Sequence, residues 1–146
     1  MSVADALPLG CGLVDLEVRG DERGSLIAIE PGSGVPFAIE RVYYIFGTAD
    51  NAARGFHAHH RLEQLAVCVA GSCTMILDDG TRRVRVPLDR PDRGVHIGSP
   101  IWREMVDFSP DCVLLVLASA PYQTADYIRD YDQFRRVAAR QTGDPS

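Results

Sequence analysis

Short stretches of alternating apolar and polar residues, each closed by Gly, Pro, Asp or Asn, run through most of this chain. Val14, Leu16 and Val18 alternate with Asp15 and Glu17, a spacing of two that predicts a half-buried strand. Residues 25–30 repeat the pattern. Residues 41–46 (RVYYIF) combine aromatic and β-branched side chains, which favour a pleated surface. Residues 65–69, 72–77, 81–88, 94–98 and 101–108 predict further strands, with Asp78-Asp79-Gly80 as a two-residue hairpin signal. Residues 112–117 are wholly apolar, and so short a run is a better central strand than a helix. Only residues 127–140 have helical character.

About ten short strands with close turn signals, then one helix, predict an all-β sandwich or jelly roll. One domain spanning 1–146 is expected, with its core at about 12–136 and loose ends at 1–10 and 141–146. A jelly roll with histidines inside is a cupin-like barrel. Residues 54–59 (RGFHAH) supply them: His57 and His59, one residue apart on a strand, point to the same face.

Three readings of that pair are open. With Glu63 it matches the first part of a cupin metal motif, and a metal-dependent enzyme would use His57, His59 and Glu63. The later ligand of that motif should come from residues 101–105, where Arg103 stands instead; a guanidinium donates hydrogen bonds and cannot coordinate a cation. Alternatively the two imidazoles, roughly 6–7 Å apart along the strand, serve neighbouring carbons of one substrate as proton-transfer groups. The third reading is a pair of histidines held by core hydrogen bonds.

Composition removes other classes. The chain has 146 residues, 46% hydrophobic and 24% charged, with a net charge of −5. Acidity and the lack of a basic cluster beyond Arg82, Arg83 and Arg85 argue against nucleic acid as a partner. All 15 basic residues are Arg, so a Schiff-base lysine and a P-loop lysine are excluded, and an anionic ligand must be met by Arg or backbone N–H groups. The four cysteines form no CxxC pair, no run approaches membrane-spanning length, and the N-terminus lacks a basic leader; a cytoplasmic protein is expected.

Residues 54–59, followed by Glu63-Gln64 and Val67-Cys68, resemble the sugar nucleotide 3,4-ketoisomerases acting on dTDP-4-keto-6-deoxyglucose. The likeness continues in order through 23–26 (RGSL), 36–37, 41–46, 71–73, 77–80, 102–105 (WREM), 107–109, 117–119 and 126–131 (DYIRDY). It implies a cupin jelly roll, a homodimer, no metal or organic cofactor, and transfer of a carbonyl from C4 to C3 of the hexose. Carried over by position, it gives His57 and His59 as catalytic residues and Arg54, Gln64 and Tyr43 as substrate-binding ones. Gln64 has the wrong strand parity relative to His57 and rests on the resemblance alone. Arg41 shares a strand face with Tyr43 and joins the candidates for stabilising an enolate oxygen. Arg23 resembles the branch that inverts C4 and Arg103 the branch that retains it, so the configuration at C4 stays open. A 3,5-epimerase of the same nucleotide sugars is the nearest alternative activity.

Overall fold

The computed structural model describes residues 6–141. Two five-stranded antiparallel sheets face each other. The first has the order β1 (Gly12–Asp15), β9 (Arg93–Ile97), β6 (Gln64–Ala70), β11 (Val113–Ala118), β4 (Arg41–Ile45). The second runs β12 (Tyr127–Ile128), β5 (Arg54–His59), β10 (Trp102–Val106), β7 (Cys73–Asp78), β8 (Arg83–Leu88). A separate hairpin joins β2 (Arg19–Asp21) to β3 (Gly24–Leu26). Helix α1 (Tyr131–Gln141) closes the described chain.

Strand alternation builds the core. Ala66 and Cys68 of β6, Val95 and Ile97 of β9 and Leu114 and Val116 of β11 face Met75 and Leu77 of β7 and Val86 and Leu88 of β8 across the gap between the sheets. The opposite parity is covered too. Leu65, Val67 and Leu117 on the outer face of the first sheet are packed by Leu16, Val35, Ile27, Ile29, Phe37 and Ile39. Ala58 and Trp102 on the outer face of the second sheet are packed by Ile128, Phe134 and Ala138, so α1 lies across it. Asp78 ties the helix down, accepting hydrogen bonds from Tyr131 Oη (2.7 Å) and Arg83 Nη2 (3.0 Å).

The all-β jelly roll expected from the pattern is the observed architecture. Four local expectations are corrected. Residues 27–30 alternate like a strand but pair with none; Ile27 and Ile29 serve as packing against the first sheet's outer face. The turn after Asp78 has four residues, 79–82, because Asp79 Oδ1 accepts from the backbone N–H of both Thr81 and Arg82 and holds a wider loop. The helix begins at Tyr131 rather than 127, since Asp130 caps it by accepting from Gln133 N at 3.1 Å. Leu7, in the stretch expected to be loose, is buried in the main core. The outermost expected ends, 1–5 and 142–146, lie outside the described residues.

Candidate active site

The register of β5 against β10 steps by two residues on β5 for one on β10: Arg103 faces His57, and Glu104 faces Gly55. Phe56 is the extra residue of a β-bulge. Its φ of 57° is unusual for an aromatic residue, and Gly55 beside it has a φ of 92°. A Cβ on Gly55 would stand 2.9 Å from the Arg103 carbonyl oxygen, so only glycine fits there. The bulge has a chemical result. In a regular strand Arg54 and His57, three residues apart, would point to opposite faces. Here both line one cavity of about 630 Å3, with Arg41, Tyr43, Phe56, Met105, Tyr122, Tyr127 and Arg129.

Inside the barrel the His57 and His59 rings meet edge to face, with centroids 5.0 Å apart. Tyr127 packs against both, at 5.0 Å from His57 and 4.4 Å from His59. The short strand β12 puts it there by pairing Tyr127 with His59. The Arg129 guanidinium lies 4.5 Å over the Tyr127 ring. His59 is 1% exposed. Its Nδ1 is 3.3 Å from Asp126 Oδ2 but out of line for a hydrogen bond, and neither ring nitrogen has a hydrogen-bond partner among the described residues.

Arg103 is 2% exposed and lies in the same interior. Its Nη1 donates to Gln64 Oε1 and its Nη2 to the Ile101 carbonyl at 3.0 Å. Gln64 Nε2 donates to Tyr43 Oη at 3.1 Å. Because guanidinium only donates, the Gln64 oxygen must face Arg103 and its NH2 must face Tyr43. The tyrosine oxygen therefore accepts from Gln64, which leaves the phenolic proton to be given elsewhere. Among the described residues, every buried side-chain polar atom without a partner belongs to this region: Arg41 Nε, Arg103 Nε and both nitrogens of His59. Buried polar atoms are rarely left unpaired, and their convergence marks a place for a polar ligand.

Burial, assisted by the charge of Arg103, lowers the His57 pKa to about 4 and that of His59 to about 2. Burial also lowers Arg103 to about 10, which leaves it charged at neutral pH. Burial raises Tyr43 above its usual phenol value, so it is a neutral donor. The interior holds two neutral imidazoles, the Arg103 cation and the Tyr43 phenol, with Arg41, Arg54 and Arg129 along the cavity wall.

Of the residues singled out from sequence, His57, His59, Tyr43, Gln64, Arg41, Arg54 and Arg103 are brought together. Gln64 corrects the parity argument: the chain leaves β5 after His59 and enters the other sheet at Gln64, so counting from His57 does not carry across. Arg23 is not brought to the cavity; it lies exposed on the β2–β3 hairpin, hydrogen-bonded to Asp21. The metal reading loses its carboxylate. Glu63 Oε1 pairs with His96 Nε2 at 3.0 Å, and among the described residues the histidines belong to no group of three ligand atoms close enough to share an ion. Tyr127 and Arg129 were missed because the helical pattern was extended over them; Asp130 as an N-cap was the signal that the helix starts later.

Two facing antiparallel sheets with paired histidines opening inward define a jelly roll of the cupin type. The family described as FdtA: WxcM-like, C-terminal, matches residues 9–139. A TDP-4-oxo-6-deoxy-alpha-D-glucose-3,4-oxoisomerase of Aneurinibacillus thermoaerophilus is 53% identical over 120 residues, 82% of this chain and 86% of that protein. The TDP-quinovose 3,4-ketoisomerase of Campylobacter jejuni superposes with a TM-score of 0.85 at 50% identity, covering 88% of this chain and 99% of that one. A histidine-to-asparagine mutant of the 3,4-ketoisomerase from Thermoanaerobacterium thermosaccharolyticum, in complex with TDP-4-keto-6-deoxyglucose, gives 0.88 at 38% identity over 92% and 98%. The chain belongs to this family and is a sugar 3,4-ketoisomerase.

The depressed histidine values set a pH dependence of stability. An unfolded imidazole titrates near about 6.5. Between that value and about 4 the unfolded chain binds protons at position 57 that the folded chain refuses. This stability is complete above about pH 6.5 and is lost as the pH falls. Urea unfolding free energy should decline from about pH 7 to about pH 5, and the decline should be shallower when both histidines are replaced by asparagine.

Proposed function

We propose that this enzyme converts dTDP-4-keto-6-deoxyglucose to the 3-keto isomer by proton transfer through an enediol, with His57 and His59 as the catalytic groups. The observation that carries the reading is the pair of neutral imidazoles in ring contact with each other, under the charge of Arg103, which Gln64 links to Tyr43.

The hydrogen on C3 of the substrate is acidified by the neighbouring C4 carbonyl. His57, neutral at working pH, takes it as the general base and returns a proton at C4. Negative charge develops on the C4 oxygen as the C3 proton leaves. The Arg103 guanidinium and the free Tyr43 proton are the donors for that oxygen, fixed in advance by Gln64. His59 carries the second proton, from the C3 hydroxyl to the C4 oxygen, which completes the exchange of keto and hydroxyl positions. The Arg103 guanidinium, standing where a metal-binding cupin would carry a ligand, suits an enolate better than a metal ion. Replacing His57 by Asn should lower kcat about 10²–10⁴-fold with the fold intact by circular dichroism. In D₂O, an NMR time course with the 4-keto sugar nucleotide and chelator present should show deuterium at C3 or C4 and report the C4 configuration. Wild-type turnover in both His57→Asn and His59→Asn would overturn the mechanism.

The diphosphate of the substrate is assigned to Arg54 and Arg129. Both stand at the cavity wall beside His57, and neither forms an ion pair with a carboxylate among the described residues, unlike Arg83, Arg85, Arg90 and Arg93. A guanidinium meets two phosphate oxygens at once. Arg129→Ala should raise KM about tenfold or more, as expected for losing a charged hydrogen bond of about 1.5–3 kcal/mol, while kcat changes less.

The enzyme acts as a homodimer in the cytoplasm on this reading. All four cysteines are unpaired, as a reducing compartment favours. Strand β4 is the edge of its sheet; Arg41 and Tyr43 point inward, while Val42 and Tyr44, with Phe46 just beyond, are exposed, Phe46 by 67%. An apolar stripe on an edge strand calls for a partner surface. Tyr44→Asp should convert a dimer to a monomer in sedimentation equilibrium.

A further inference from the structure

Three thiols meet at the end of the barrel away from the histidines. Cys68 Sγ lies 3.5 Å from Cys73 Sγ and 3.6 Å from Cys112 Sγ, and all three sulfurs fall within 4.8 Å of one another. They come from three places in the chain: late in β6, the start of β7, and the residue before β11. All three are buried and none is in a disulfide. Cys68 is four residues beyond Gln64, about 13 Å further along the same strand, so the cluster is no part of the active site. Among the described residues it is the one group of three or more His, Cys, Asp or Glu ligand atoms near enough to share a single atom.

Charge decides what such a pocket can take. Burial raises the Cys112 thiol to about 12, and Cys68, hydrogen-bonded to Cys73 and buried, is raised as well, so these two thiols are protonated. Among the described residues no cation acts on Cys68 or Cys112; the cluster packs with Ala66, Met75 and Leu114, and the charged group beside Cys112 is the Asp111 carboxylate. Three thiolates around a monovalent or divalent ion would leave net negative charge in an apolar interior, which is costly. A trivalent centre leaves none.

We propose that Cys68, Cys73 and Cys112 form a binding site for one trivalent metalloid hydroxide of the arsenous acid class. Each thiol hydrogen leaves with one hydroxyl of As(OH)₃ as water. Three S–H and three As–O bonds break, three S–As bonds form and three waters depart, with no change of oxidation state and no net charge. The sulfur spacing suits a pyramidal three-coordinate centre: bonds of about 2.3 Å at angles between a right angle and tetrahedral hold sulfurs about 3.3–3.8 Å apart, which the 3.5 and 3.6 Å edges already meet, while the third edge lies within 4.8 Å. A small neutral molecule has a short way in. Cys112 follows exposed Asp111, and the cover is a pair of surface turns joined by Ser109 N to the Ser72 carbonyl (2.8 Å) and Ser72 N to Ser109 Oγ (2.9 Å). Local opening of such turns costs far less than global unfolding.

The test uses the reduced full chain with sodium arsenite. Native mass spectrometry should show one arsenic in place of three hydrogens, and X-ray absorption should count three sulfur neighbours. Cys112→Ser should abolish that adduct and Cys11→Ser should retain it. Isomerase activity should survive loading, since the histidines lie at the other end. Absence of an adduct, fewer than three sulfurs about the arsenic, or an adduct that persists unchanged in Cys112→Ser would overturn the site. Each arm reads independently of whether the enzyme accepts the 4-keto sugar.

Discussion

A buried guanidinium organises this protein. Arg103 sits in the barrel interior, in no ion pair among the described residues, held by the Gln64 side chain and the Ile101 carbonyl. Such a charge is expensive to desolvate, and leaving it without hydrogen bonds would cost several kcal/mol (about 3–5 for a broken buried pair). The arrangement around it follows from that constraint. Gln64 must turn its oxygen to the arginine, which forces its amide onto Tyr43. The positive charge and the dry surroundings keep both imidazoles unprotonated. One residue thus sets the orientation of a phenol and reinforces the neutral state that burial imposes on two bases.

The strands that deliver these groups are held from outside as well as inside. Both sheets have covered outer faces: the first by the irregular chain from Ile27 to Ile39, the second by α1. The cladding matters for the site. Ile128 and Phe134 anchor the segment that carries Tyr127 against the histidines, and Asp78 anchors the helix that follows. A rigid scaffold on both sides of β5 and β10 is what keeps a catalytic geometry within useful tolerance.

Alternation along the chain was enough to read the barrel, because nearly every strand has one buried face. It was also enough to put His57 and His59 on one inward face, whereas Tyr43 came from the family resemblance. It failed wherever two residues of the site are not on one regular strand. Gln64 belongs to the opposite sheet, so its parity relative to His57 carried no information. Arg54 reaches the cavity only because of the bulge at Phe56, which no spacing rule reveals. Ile27 and Ile29 alternate without a ladder, since apolar packing alone produces the same pattern as a strand. Tyr127 was hidden under a helical pattern whose real start Asp130 marks. Arg23 was assigned by resemblance, and its hairpin carries it away from the cavity in a single chain.

The bulge separates two things that usually travel together, the presence of a residue and its identity. Phe56 must exist, because removing it would return Arg54 to the far side of the strand. Its side chain is half out in water at the cavity rim and is little constrained by packing. Position 56 is therefore intolerant of deletion yet open to substitution by residues that accept a left-handed backbone. A mutational scan that changes letters but never chain length would judge this position unimportant and overlook its geometric role.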